Sequence, residues 1–374
     1  MTYDSIIIGA GPAGSHLGYL LANAGFNVAI LDQKSFPREK LCGGLLTAKA
    51  LALLPESLIA DVPKFSIKSA SVFYKNELTG SIPMLSNLRT VRRRDFDDSL
   101  LRAATEAGCV AYLGLRLTHL NYDENELTLS DGRTLKYRNL FGADGALSTV
   151  RRLIKLPRNT LGFCMEAHVP VDALQNQYVV QNNSVEIYYG EQGKGYGWVF
   201  PTPDSIAIGV GNIASDLTEK QIVSTYYTFA SKILSENDIK AYAAYLPSGD
   251  SVLLGAPNCE NICLLGDAAG LIDPFTGEGI YYAILSAKKA YRAMTESRRP
   301  SILLNYEQLM TPTIIEMQNN VRIRNKLYSP IALKTAISSM QSALQYSAEL
   351  IDDTIVNYNK AYSEAYEEFQ RLTR

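Results

Sequence analysis

A short apolar segment, Tyr3-Asp4-Ser5-Ile6-Ile7-Ile8, runs directly into Gly9-Ala10-Gly11-Pro12-Ala13-Gly14, and apolar residues then recur at helical spacing from Ser15 to Ala24. Strand, glycine turn and helix in this order constrain the fold more than any other feature of the chain. Gly9 allows a tight turn, Gly11 lets a pyrophosphate approach the backbone, and Gly14 lets helix pack closely on strand. The exposed N–H groups and the dipole at the helix start favour negative charge. A second apolar run, Val28-Ala29-Ile30-Leu31, ends at Asp32, where a carboxylate meets a ribose diol and repels a 2′-phosphate. The turn therefore predicts a site for an adenine dinucleotide without that phosphate, either FAD or NAD.

Two later turns decide between them. Leu140-Phe141-Gly142-Ala143-Asp144-Gly145 reads as a strand entering a turn, followed by Ser148 and Arg151. Asn261-Ile262-Cys263-Leu264-Leu265 reads as a strand delivering Gly266-Asp267, placing the Asp267 carboxylate to accept hydrogen bonds from a polyol chain. FAD has such a chain in its ribityl group, and NAD has none. Gly209-Val210-Gly211 lacks a third glycine and a following helix, so a second dinucleotide site is not evident.

Composition narrows the class. At 374 residues the chain is long for one core, and two connected domains are expected. Hydrophobic residues at 47% and charged residues at 20% describe a globular protein. A net charge of −2 gives no support for nucleic-acid binding. Arg89, Arg92, Arg93 and Arg94 are answered at once by Asp95, Asp97 and Asp98. Five scattered cysteines argue against a disulfide framework, and His16, His119 and His168 do not cluster, so no metal is expected. With the cofactor strand at the start of the sequence no signal peptide is expected, and no apolar run reaches the ~18 residues needed for a membrane span. A cytoplasmic protein is expected, with peripheral contact at the inner membrane face as an option.

The organisation reads as interleaved and of the α/β class, α+β overall. Residues 1–68, 90–160 and 252–300 are expected to form a Rossmann-like FAD-binding domain. Residues 69–89 and 161–251 are expected to form an antiparallel-sheet substrate domain, from alternations such as Val185-Glu186-Ile187-Tyr188-Tyr189. A C-terminal helical region, 301–374, follows. From about Ile302 the pattern shows long helical periodicity, rich in Tyr, Ala, Glu and Lys from Gln341 to Phe369; it reads as a packing helix that completes the fold, with a cap over the substrate, a dimer surface or a lipid-facing surface as the alternatives.

With these motifs in place the chain resembles the para-hydroxybenzoate-hydroxylase-like flavoproteins, and within them the geranylgeranyl reductase family. The resemblance covers roughly residues 1–300. It is carried by residues 9–14, by Arg93 before Asp95-Phe96-Asp97, by residues 142–145 and by Gly266-Asp267. The reductase branch is indicated by Pro37-Arg38-Glu39-Lys40-Leu41-Cys42-Gly43-Gly44 and by Tyr196-Gly197-Trp198-Val199-Phe200-Pro201.

The resemblance implies that Gly9, Gly11, Gly14 and Asp32 hold the ADP half of FAD, with Arg93 at the pyrophosphate or ribityl and Ala13, Gln33 and Arg38 as further cofactor contacts. Asp267 would bind the ribityl, with Asp144 and Gly266 as further cofactor contacts. Gly277, Gly279 and Ile280 would lie at the pyrimidine edge of the flavin, with Cys42 and Gly43 beside the ring. A helix starting near Gly279 would aim its positive end at the anionic reduced flavin, so Glu278 is expected to turn away as a cap or ion-pair partner. Gly44, Tyr196, Trp198, Phe200 and Pro274 are the expected substrate contacts, with Cys42, Tyr196 and Trp198 as the catalytic candidates. Two readings stay open at this level: Cys42 as a small buried hydrophobe, and the aromatic strand as plain core.

The implied reaction is hydride delivery to an isoprenoid double bond, with Tyr196 and Cys42 as candidate proton donors. An aromatic hydroxylase or halogenase-like enzyme using NAD(P)H and oxygen is the alternative, and a flavin electron-transfer protein the second. The electron donor is expected to be NAD(P)H or a reduced ferredoxin-like protein, and the chain a monomer or homodimer.

Overall fold

The computed structural model describes residues 2–213, 216–235, 239–296 and 301–328, so the part of the expected C-terminal helical region from Gln341 to Phe369 lies outside the described residues. Two sheets organise the molecule. The first runs Val110–Leu113, Val28–Asp32, Thr2–Ile8, Thr134–Gly142, Glu126–Leu129, Leu117–Asn121, and Ile262–Leu264 also pairs with the C-terminal half of Thr134–Gly142. The strands from Val110–Leu113 to Ile262–Leu264 are mutually parallel, while the Leu117–Asn121 and Glu126–Leu129 hairpin joins antiparallel.

Parallel strands are covered on both faces and read as continuous apolar runs. Ile6, Ile7, Val28, Ala29 and Ile30 are accordingly fully buried. The Pro12–Asn23 helix packs on the Arg93–Glu106 and Ile280–Thr295 helices, and the Ile302–Leu327 helix packs on the latter. The helical pattern after residue 302 thus includes a helix whose Tyr306, Met310 and Met317 are buried in the main core.

The second sheet has the order Tyr242–Pro247, Leu161–Val169, Ile206–Asn212, Gly195–Pro201, Ser184–Tyr189, Lys64–Tyr74, Glu77–Val91, Leu45–Leu46. All its pairings are antiparallel except that of Ser184–Tyr189 with Lys64–Tyr74. Its strands Lys64–Tyr74 and Glu77–Val91 extend beyond the 69–89 window at both ends, and Leu45–Leu46 joins them at the edge. Side chains alternate between the two faces of such strands. Met165, Ala167, Ile206, Ile208 and Val210 face the Glu219–Ile233 helix, which Thr218 and Gln221 close with a capping box. The other face carries Cys164, Trp198, Phe200 and Ala207 in a separate cluster. That face meets the cofactor half.

Candidate active site

The register of the parallel sheet aligns Ile8 with Gly142 and Gly142 with Leu264. Three glycine turns therefore emerge side by side at the carboxyl ends of neighbouring strands, where ligands bind in open α/β sheets. Gly9 has φ +106°, and a β-carbon there would stand 2.2 Å from the Ala143 carbonyl oxygen. One on Gly14 would stand 1.9 Å from the Gly9 carbonyl oxygen, and one on Gly266 3.5 Å from the Ala13 methyl. The first and last turns thus touch.

The Pro12–Asn23 helix starts at Gly11 with no side-chain cap and no acidic residue in its first turn. A β-carbon on Gly11 would meet only the Arg38 guanidinium, at 3.6 Å. This open, positive helix end fits a pyrophosphate. Asp32 is buried, with Oδ2 accepting from the Ala10 amide at 2.8 Å and Oδ1 from the Lys34 amide at 2.8 Å. It joins the glycine turn to the end of its strand, while Gln33 beside it is exposed.

The other two aspartates differ in their surroundings. Asp144 accepts from Ser148 Oγ, from the Thr149 amide at 2.6 Å and from the Val150 amide at 3.1 Å. Its carboxylate is engaged in capping the Thr149–Leu153 helix, so only its backbone borders Gly9. Burial pushes its carboxyl up, and those hydrogen bonds oppose the shift. Among the described residues the Asp267 carboxylate has no hydrogen-bond partner, and a β-carbon on Gly279 would lie 3.3 Å from its Oδ1. Burial raises it, with Lys40 and Arg93 pulling it down. The open helix end, the bare Gly11 and this available carboxylate fit FAD.

Arg93 binds Asp97 through Nε and Nη2, both at 2.8 Å, and Arg38 Nη2 reaches the same Asp97 at 3.1 Å. Asp97 is fully buried. Burial works against the Arg93 charge, but Asp97, with the neighbouring Cys42 sulfur, raises its pKa well above the ordinary value. One carboxylate thus anchors the guanidinium above Gly11 and the one beside Cys42.

On the facing sheet, a β-carbon on Gly43 would lie 2.6 Å from Phe200 Cδ2 and 3.5 Å from Trp198 Cδ1. One on Gly44, at φ +70°, would lie 1.9 Å from the Val91 carbonyl oxygen. The cysteine-glycine loop is therefore pressed flat on the aromatic strand. Glu166 ties them together, accepting from the Cys42 amide at 2.9 Å and from the Trp198 indole N–H at 3.0 Å. The Tyr196 hydroxyl donates to the Thr276 carbonyl oxygen, and burial, with Tyr189 next, holds its pKa above the phenol range.

Tyr196 continues into further rings. Trp198 and Tyr189 lie at 5.9 and 5.8 Å, Tyr189 stacks on Phe275 at 6.4 Å, and Tyr328 packs on Phe275 at 5.7 Å. Pro274 is buried against Gly249. Asp273 shapes this loop, accepting from the Phe275 and Thr276 amides and from Asn320 of the Ile302–Leu327 helix. Glu278 turns to Lys49 at 2.6 Å and to Thr47. The Ile280–Thr295 helix then begins at Gly279 without a side-chain cap or an acidic first turn, beside Asp267.

Glu166, Asp273, Tyr189, Phe275 and Tyr328 were not singled out as site residues from the sequence, and Asp97 was read there only as a neighbour of the arginine cluster. Glu166 alone left a trace there, as a charged residue in the middle of the strand Cys164-Met165-Glu166-Ala167-His168.

A family model described as an FAD binding domain matches residues 2–320. The geranylgeranyl diphosphate reductase of Rhodobacter capsulatus is 30% identical over 318 residues, covering 81% of this chain and 78% of that protein. The menaquinone reductase of Mycolicibacterium smegmatis is 28% identical over 316 residues, covering 78% and 76%. A geranylgeranyl bacteriochlorophyll reductase-like protein from Thermoplasma acidophilum shares the fold, with a TM-score of 0.76 at 20% identity over 99% of this chain and 98% of that one. With its glycine turns converging on one crevice, the chain belongs to the FAD binding domain family, as an FAD-dependent oxidoreductase of the geranylgeranyl reductase type.

Proposed function

We propose that the protein saturates carbon–carbon double bonds of an isoprenoid: a prenyl or geranylgeranyl lipid, a quinone side chain or a prenyl diphosphate. The observation that carries this reading is the apolar aromatic strand Tyr196, Trp198 and Phe200 held against Cys42-Gly43-Gly44 on the cofactor side of the second sheet. Relatives named as reductases of geranylgeranyl diphosphate and of menaquinone support it. FAD, bound and reduced, would supply the hydride. The chain's own part is to exclude water with the rings from Tyr189 to Tyr328 and to place the alkene beside Gly43 and Gly44. It must also provide a proton, for which Tyr196 and Cys42 are the proposed donors.

FAD is assigned to Gly9, Gly11, Ala13, Gly14, Asp32, Gln33 and Arg38 at the ADP half, and to Arg93, Gly266 and Asp267 at the ribityl. Gly277, Gly279 and Ile280 take the ring edge. The electron donor is NAD(P)H at a transient surface site or a reduced ferredoxin-like protein. Gly209 and Gly211 lie within the antiparallel strand Ile206–Asn212, which offers no second dinucleotide turn. No helix among the described residues is long and apolar enough to cross a membrane, and a cytoplasmic monomer or homodimer touching the membrane surface suits a lipid substrate.

The test is anaerobic reduction of the yellow protein followed by addition of prenyl substrates. Reoxidation of the flavin with formation of the saturated chain is expected. Oxygen consumption dependent on an aromatic ligand, with no response to any prenyl compound, would favour a hydroxylase instead.

A further inference from the structure

Glu166 stands in the middle of the Leu161–Val169 strand and is fully buried. A buried carboxylate is tolerated only where its oxygens are hydrogen-bonded. Each oxygen has its own donor, and the two donors come from segments far apart in sequence. Oε1 takes the amide of Cys42, from the cofactor-side loop, and Oε2 takes the indole N–H of Trp198, from the Gly195–Pro201 strand. His168 Nε2 stands 3.5 Å from Oε1 and is itself held by Ser205 Oγ at 3.1 Å. The indole is locked from behind as well, because a β-carbon on Gly209 would lie 2.1 Å from Trp198 Cζ2.

We propose that Glu166 is the positioning residue of the reactive face. One carboxylate, bonded at once to the loop and to the indole, fixes how far Cys42 to Gly44 stand from Trp198, and with that the width of the slot where an alkene would meet the flavin. The consequence for turnover rests on the prenyl reading above; the geometry does not.

Glutamine tests the idea because it keeps the shape but has one acceptor oxygen for two donors. Its NH2 group must face either the Cys42 amide or the indole N–H, leaving that donor without a partner. Trp198 is the only tryptophan of the chain, so its emission reports this contact without any substrate.

In the full-length, FAD-loaded protein, Glu166→Gln is expected to shift Trp198 emission and increase its quenching by acrylamide. Flavin reoxidation at saturating prenyl substrate should slow roughly tenfold, with KM changed less and flavin loading intact. Glu166→Asp keeps two acceptors on a shorter stem and should recover part of the rate. Wild-type emission and wild-type reoxidation in the glutamine variant would overturn the proposal. Should that variant lose its flavin, a wild-type spectrum and rate for Glu166→Asp would overturn it equally. If wild-type protein turns over no prenyl compound, the substrate reading fails while the emission comparison still judges Glu166.

Discussion

The hydroxyl of Tyr196 is bonded to the carbonyl of Thr276, joining the aromatic strand of one sheet to the loop that starts the Ile280–Thr295 helix beside the other. Tyr196→Phe removes this tether and the proposed proton donor together. The lost hydrogen bond alone is worth about 1 kcal/mol. Single-turnover reoxidation with a prenyl substrate should fall by at least tenfold while FAD still binds. Because burial keeps the phenol protonated, the wild-type pH–rate profile should show no alkaline limb from Tyr196 below its ordinary value of 10. Such a limb, abolished in Tyr196→Phe, would contradict this account.

Gly43→Ala places a methyl 2.6 Å from a Phe200 ring carbon and 3.1 Å from its neighbour. A ring packed in a sheet face cannot swing aside like a flexible chain end, so the loop or the ring must shift, at about 1–3 kcal/mol. The expected result is slowed hydride transfer with altered Trp198 emission and near-normal flavin content. Full activity would show that the loop does not set the clearance of the slot.

Asp97 balances Arg38 and Arg93 in a buried place. Asp97→Asn leaves two guanidinium groups facing each other without a counter-charge, a change expected to cost about 3 kcal/mol. Urea unfolding of the FAD-saturated protein should show the lowered midpoint, and flavin titration a weakened affinity. An unchanged midpoint would mean that the two arginines find other partners.

His16 is buried, and among the described residues neither ring nitrogen has a hydrogen-bond partner. Burial, helped by Lys288, lowers its pKa from 6.5 to about 4. The unfolded chain therefore takes up this proton near pH 6.5, whereas the folded chain holds it off until about 4. Folding stability contributed by the neutral ring is complete above 6.5 and is lost as pH falls towards 4, by roughly 3 kcal/mol in all. The difference in unfolding free energy between wild type and His16→Leu should follow that slope across the window and be flat above it. A difference independent of pH would place the histidine in water.

The strands and turns proposed for the cofactor could be read from the chain because each is local: a buried strand, a glycine turn and a helix start lie within a few residues of one another. The outward turn of Glu278 was also legible, from the sign of the charge expected next to it. Glu166 was not, because its two donors come from Cys42 and Trp198, far away in sequence and brought close only by the long-range pairing of the second sheet. Tyr189, Phe275 and Tyr328 were hidden for the same reason, their rings coming from a strand, a loop and a helix end. Asp144 shows the opposite effect: its motif pointed to the cofactor, yet the helix immediately after it claims the carboxylate.

Leu45 and Leu46 pair with Thr90 and Arg89, and the Val91 amide bonds to the Gly44 carbonyl, so the segment carrying Cys42 is stitched by its own backbone into the far border of the second sheet. The spacing of Cys42-Gly43-Gly44 from the aromatic strand is therefore set within one sheet, by backbone pairing at its border and by Glu166 across its face. Substitutions that alter the fit of a prenyl guest are expected to act at Tyr189, Phe275 and Tyr328, whose rings meet from a strand, a loop and a helix end.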